Sequence, residues 1–432
     1  MNTDRFKNFD PDVRRLVLAF ERGGEGVWMD VDELTVVADY YLEVRDVEGL
    51  EAAVSKGERI YPHNGDIRLR RAQLLGIKGA YGQALRILKQ LEQEEPDNTD
   101  VFYSLGTLYS LTDNPQASIY YYLKAAADGY ELGMIYGIVA DEYVKLGNTV
   151  QAVRYYRKAL TYDPNEGHWL YSLSNIWGRQ LRYGQAVQFF TQHVSDHPYC
   201  KEAWYCLGIA YLWGAQYDTQ LAVDAFEYAL AIDSQYESAC TALSEAYMMM
   251  GDIPRAVKTL RSALDFAADR PDILHSIGCL YMADNNYHTA YVYFQDALKE
   301  DDTRAYFWDG LGRCSQCLGY VEEAVEQFVH AINLEPEFDC YWLNLADLYI
   351  SQLRWADAAS LLESARGEAT DPYDFDVRLL YCYYKLGRRN RLTSLMAEAG
   401  AKYGPMLKDL LLQYPDMAQD WEIVSTIEKI AK

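Results

Sequence analysis

Trp204-Tyr205-Cys206-Leu207-Gly208-Ile209-Ala210-Tyr211 is the stretch whose reading decides the architecture. An aromatic residue is followed by leucine and glycine three and four positions on, then by tyrosine. The spacing returns at Trp342, Leu345, Ala346 and Tyr349, and at Phe102, Leu105, Gly106 and Tyr109. Downstream comes a small residue, an aromatic four later and a small residue three after that: Ala152, Tyr156 and Ala159; Ala290, Phe294 and Ala297; Ala324, Phe328 and Ala331. Several units close on proline, at Pro62, Pro96, Pro164, Pro198 and Pro336. Aligned on these columns, units begin at Val31, Gly65, Thr99, Gly133, Gly167, Lys201, Glu237, Pro271, Ala305, Asp339 and Tyr373, nine steps of 34 residues and one of 36. Within one unit, Tyr136, Val139, Ala140 and Tyr143 form the i, i+3, i+4, i+7 stripe of an amphipathic helix. Gly147-Asn148 breaks it, and a second helix carries Ala152, Tyr156 and Ala159. One such helix pair cannot bury its own apolar face, so the units must stack.

A dense 34-residue period of this kind resembles the tetratricopeptide repeat (TPR) family. The resemblance implies an all-α fold, an α-α superhelix that is a right-handed solenoid of antiparallel helix pairs, here of eleven repeats over residues 31–406. Repeats 1 and 11 depart most from the pattern: Leu50 and Leu392 stand where alanine is usual, and Asp376 where Trp or Leu is usual. Residues 1–30 read as an N-terminal capping helix, with Asp10 as N-cap, Pro11 in the first turn, Val13, Leu16, Val17 and Phe20 as the apolar stripe, and Gly23-Gly24 as the stop. Residues 407–432 read as C-terminal capping helices, with Leu410, Leu411, Trp421, Val424 and Ile427 apolar and Pro415 between the helices. Neither remainder could hold a catalytic domain, which argues against an enzyme.

Composition narrows the partners. Of 432 residues, 64 are acidic and 40 basic, a net charge of −24. That balance speaks against nucleic acid and against docking on an anionic membrane. The N-terminus lacks the apolar core of a secretory signal, no stretch approaches the roughly 18 apolar residues of a membrane span, and eight cysteines make no disulfide framework. A cytoplasmic protein is expected. No metal or cofactor is expected either. Cys314-x2-Cys317 lies within a first helix without a facing second pair, and His193-Val194-Ser195-Asp196-His197 runs off a second helix into Pro198. Gly23, Gly24 and Gly26 precede no strand, so they form no phosphate loop.

The family resemblance implies that positions 2, 5, 6, 9, 12 and 13 of each repeat line a concave groove. No three consecutive repeats carry the Lys, Asn and Arg clamp for a C-terminal carboxylate, and position 6 holds only one asparagine, Asn344, so a backbone-binding asparagine ladder is absent. Position 6 is instead small through the middle of the chain. The residues expected to meet a partner are Tyr103, Tyr171, Asn175, Tyr205, Trp213, Glu245, Met248, His275, Met282 and Arg313. Twelve acidic residues face six basic ones in these columns, but six of the twelve stand at position 2, where a carboxylate favours the helix dipole. The preference for a basic or amphipathic helical partner therefore rests on overall charge and on aromatic and methionine walls. The function expected is a non-catalytic scaffold that captures a peptide or helix of a partner protein. The alternatives are self-association through Trp421 and the C-terminal helix, and an RNA-reading repeat, which the 34-residue step and the acidity oppose. The two extra residues of repeat 6 fall between Tyr211 and Ala222, around Gly214-Ala215-Gln216-Tyr217-Asp218, and the ligand footprint is expected on repeats 5 to 8.

Overall fold

A computed structural model of the chain describes residue 6 and residues 9–23, 28–214 and 218–430. Among these residues every regular element is a helix. The chain forms two compact units, Met1–Ala215 and Gln216–Lys432. In the first, Pro11–Gly23 precedes the pairs Val31–Glu43 and Val47–Ile60, Gly65–Ile77 and Tyr81–Glu94, Thr99–Leu111 and Pro115–Ala126, Leu132–Lys145 and Thr149–Ala159, and Gly167–Arg179 and Tyr183–Asp196; Lys201–Leu212 follows. In the second, Thr219–Ile232 precedes Glu237–Met249 and Ile253–Ala263, Arg270–Ala283 and Tyr287–Glu300, Ala305–Leu318 and Val321–Leu334, Asp339–Ser351 and Trp355–Ala365, and Pro372–Lys385 and Arg389–Tyr403. Short helices Lys408–Gln413 and Trp421–Ile430 come last. Ala215, Gln216 and Tyr217, on which the expected insertion falls, lie outside the described residues, as do Gly24 and Gly26.

One local device recurs at each turn inside a pair. The fifteenth residue of a repeat adopts a left-handed conformation at Arg45, Gly79, Asp113, Gly147, Leu181, Gly251, Asn285, Gly319, Leu353 and Gly387, with φ from 54° to 81°. Such a residue reverses the chain after the first helix and suits glycine, which fills five of the ten positions. The next residue then caps the second helix: the side chains of Asp46, Asn114, Asn148, Asp252 and Asn286 each accept a hydrogen bond from the backbone N–H three residues on. At the far end of a repeat, an indole ties the connecting loop to the next first helix. Trp204, Trp308 and Trp342 donate to the carbonyls of Pro198, Asp302 and Pro336, each at 2.9 Å.

Six of the 38 tyrosines form one repeated stack. Positions 11 and 23 pair ring on ring as Tyr109–Tyr121, Tyr143–Tyr155 and Tyr281–Tyr293, with centroids 5.5 to 5.6 Å apart and planes within 22°. Repeat 9 has Ser315 and Gln327 at these positions, which are buried and carry oxygens without a hydrogen-bond partner. Position 8 must be small for a different reason. A Cβ on Gly106, Gly278 or Gly312 would come within 2.7 to 2.9 Å of the ring of Tyr122, Phe294 or Phe328.

Both ends carry their own cores. Val17 and Phe20 of Pro11–Gly23 bury against Leu34, Val37 and Tyr41, with Val13 and Leu16 half-buried beside them. Leu407, Leu410, Met417 and Ile427 bury against the last pair, while Trp421 is 78% exposed. Asp376 is fully buried because Arg366 reaches it with two nitrogens and Tyr403 donates to it at 3.2 Å. The unusual residue of repeat 11 is thus one half of an ion pair.

Candidate functional site

The first helices Arg270–Ala283 and Ala305–Leu318 enclose a cleft of about 420 Å³. It brings together three of the expected residues, His275, Met282 and Arg313, with Cys279, Tyr306 and Asp309. His275 lies among rings, stacked on Phe307 at 5.1 Å and edge-on to Tyr306 at 5.0 Å. Burial pushes its imidazole down to about 4, so it is neutral near pH 7. The Cys279 sulfur lies 3.8 Å from His275 Nε2. Cys279 presents surface to solvent, but its thiol sits among cleft atoms and that desolvation pushes it up to about 11. A neutral thiol beside a neutral imidazole is the reverse of an activated nucleophile.

The polar groups of this cleft are unevenly satisfied. Asp309 accepts from Asn344 at 2.7 Å, and burial holds its carboxyl above the usual range. Tyr306 donates to Asp272 at 2.9 Å. Arg313 is exposed and makes no ion pair among the described residues. The small residue at position 6, Gly310, is already occupied space: a Cβ there would stand 2.9 Å from Phe294 and 3.0 Å from His275. That glycine makes room for the rings and itself lines the cleft.

The remaining expected residues lie elsewhere. Tyr171 and Tyr205 meet edge to face at 5.9 Å, and Asn175 is exposed on the helix that bears Tyr171. Trp213 is 43% exposed just beyond Lys201–Leu212. Glu245 is half-buried with its carboxyl raised by desolvation, and Met248 is exposed near the end of the same helix. Tyr103 packs edge-on to Tyr122 and Tyr130 and borders a second cleft, of about 220 Å³, in the first unit.

This second cleft holds residues that the sequence reading missed. Leu42, Ile77 and Leu111 line it at positions 12 and 13 of repeats 1 to 3, and Ile77 and Leu111 are more than half exposed. Gln73 donates to Ser104 at 3.1 Å, leaving its own carbonyl oxygen without a partner. Reading positions 12 and 13 for exposed aliphatic residues, as well as position 5 for aromatics such as Tyr103, would have found them. Groove charge is also resolved by tertiary contact. Arg70 binds Asp39 of the preceding repeat with two nitrogens, and Arg378 binds Asp347 at 2.8 and 2.9 Å. Those acids and bases cancel in pairs.

His193 Nε2 lies 2.9 Å from the Pro164 carbonyl, and Cys314 is buried with its sulfur 3.1 Å from the Tyr287 carbonyl. Among the described residues no group of three or more potential metal ligands forms. No helix among them is long and apolar enough to cross a membrane.

Tetratricopeptide-repeat family models match residues 133–166 and 215–275. The match agrees with the tandem pairs and the left-handed turn residue. The chain carries tetratricopeptide repeats. Proteins of this family mediate protein–protein interaction or complex assembly. Superkiller complex protein 3 of Homo sapiens is 21% identical over 305 residues, 65% of this chain and 19% of that protein. Tetratricopeptide repeat protein 37 of Xenopus laevis is 25% identical over 301 residues, 63% and 19% of the two chains. The BBSome complex member BBS4 of Bos taurus is 19% identical over 219 residues, 51% and 42%. The chain spans about a fifth of the length of the first two of these relatives. Among solved structures, the Cut9 and Hcn1 hetero-tetramer of the APC/C includes a chain with a TM-score of 0.43 and 14% identity, covering 97% of this chain and 92% of that one.

Proposed function

We propose that this TPR protein is a non-catalytic scaffold that holds a peptide or amphipathic helix of a partner protein on the faces of its first helices. The observation that carries the reading is the cleft of repeats 1 to 3, where Ile77 and Leu111 stand exposed. Apolar side chains of a partner would cover these aliphatic residues. The His275 cleft, with its unpaired Arg313, is a second place for a side chain on the same kind of face. Two of the relatives are named as members of multi-subunit complexes, which supports an assembly role.

The test is quantitative capture from native lysate by the full chain and by the double variant Ile77→Asp and Leu111→Asp. Both positions are exposed, so circular dichroism should be unchanged. The reading requires at least one protein bound by the wild type to be lost by the variant. Identical recovery of every bound protein would remove this face from binding.

A further inference from the structure

The chain is strongly acidic, yet its balance reverses between Lys145 and Ser195. There Lys145, Arg154, Arg157, Lys158, Arg179 and Arg182 stand against only Asp163 and Glu166. Arg154, Arg157, Arg179 and Arg182 are exposed and make no ion pair among the described residues. Other arginines, among them Arg70, Arg270, Arg366 and Arg378, find carboxylates. Here the guanidinium groups are left for something outside the protein.

One of them, Arg157, lines a cleft of about 590 Å³ between the second helices Thr149–Ala159 and Tyr183–Asp196; Arg154 lies three residues before it on the same helix, and Arg182 directly precedes the opposite helix. Trp177 and Phe189 give it an apolar floor, and the Arg157 guanidinium lies 5.4 Å from the Phe189 ring centroid. Gln185, Gln188 and Gln192 follow at i, i+3 and i+7 on one face of the opposite wall. The side chains of Gln185 and Gln188 make no hydrogen bond among the described residues, and the Gln192 side chain donates to Asp196 at 3.0 Å. Gln180 donates to the Thr149 hydroxyl at 2.7 Å, pinning the turn that carries Arg179 and Arg182 to the start of the facing helix. The cleft lining thus carries one base, Arg157, and one acid, Asp196 at the last residue of its helix, with the exposed Arg154 and Arg182 on the flanking stretches of chain.

We propose that this cleft docks an extended acidic segment of a partner protein. Carboxylates of the segment meet Arg154, Arg157 and Arg182, whose planar guanidinium groups match a carboxylate with two parallel hydrogen bonds. Its backbone lies along the glutamines, whose amides both donate and accept as a peptide group does. Its end at Asp196 is uncharged or basic. The acidity of the whole chain repels such a segment at a distance, so binding depends on these local arginines and weakens as salt rises. This surface is formed by second helices and is separate from the first-helix clefts.

Fluorescence anisotropy with the full chain tests it, using a fluorescein-labelled peptide of alternating glutamate and serine that ends in uncharged residues. Parallel probes are the lysine counterpart and a single-stranded RNA oligonucleotide. The glutamate peptide should bind, more weakly at higher salt. Arg154→Glu with Arg157→Glu should weaken it at least tenfold, while Asp196→Asn should tighten it, with circular dichroism unchanged in both. No binding of the glutamate peptide, or equal affinity in the double arginine variant, overturns the proposal. Equal loss of lysine-peptide binding in that variant, or tighter binding of the RNA than of the peptide, overturns it as well.

Discussion

Gly312 and Phe328 allow a sharp test of the packing argument. Alanine at position 312 would place its Cβ 2.8 Å from Phe328 Cε1 and 2.9 Å from Cδ1, where ordinary contact is about 3.5–4.0 Å. The ring must move by roughly 0.7 Å, yet Phe328 is fully buried against Ala305, Ala324, Ala331 and Leu345. Overpacking of this kind costs about 1–3 kcal/mol, and alanine returns about 1 kcal/mol of helix propensity. Gly312→Ala should therefore lose up to about 2 kcal/mol. At Gly184, also helical, a new Cβ meets nothing within 4 Å, so Gly184→Ala should gain a few tenths to about 1 kcal/mol. Replacing Phe328 by Leu removes the collision, so in that background Gly312→Ala should become neutral or stabilising, a coupling of about 1–3 kcal/mol. Repeat stability is local, so the assay is native-state hydrogen exchange of amides in Ala305–Leu318 and Val321–Leu334. Additivity of the pair within about 0.5 kcal/mol would refute the reasoning, as would equal effects at Gly184 and Gly312.

Three other expectations concern single residues. The His275 imidazole is held down to about 4, against about 6.5 in the unfolded chain, so the unfolded state takes the proton first as pH falls. Stability should decline between about pH 6.5 and 4, by up to about 3 kcal/mol, and a urea midpoint series should show that slope shrinking in His275→Gln. Leu181 and Leu353 hold left-handed backbone at φ 54° and 58°, with their side chains largely exposed; replacing either with glycine should raise stability by about 0.5–1 kcal/mol, and a lower melting temperature would contradict this. Arg366→Met strands the buried Asp376 carboxylate and should cost about 3 kcal/mol, whereas Asp376→Asn leaves Arg366 partly solvated and bound to Glu398 and should cost less. Equal losses in the two melting curves would mean that burial of Asp376 does not set the asymmetry.

The sequence by itself determined the helix pairs, because their signal is local and repeated. The columns holding Trp204, Gly208 and Tyr211 place the apolar stripe at helical spacing, and a glycine or asparagine after six of the first helices marks the left-handed turn. It could not show which exposed-looking side chains are already spent. Tyr171 and Tyr205 touch each other, Gly310 makes room for His275 and Phe294, and Arg70 and Arg378 answer carboxylates from the preceding repeat. Each of those contacts joins residues about 31 to 35 positions apart or opposite walls of a cleft, where column position specifies a face but not a neighbour's rotamer. The aliphatic cleft at Ile77 and Leu111 and the unpaired arginines at 154, 157 and 182 became visible for the same reason. Composition counts a charge wherever it lies, whereas only the tertiary structure decides whether another charge stands within hydrogen-bonding reach of it.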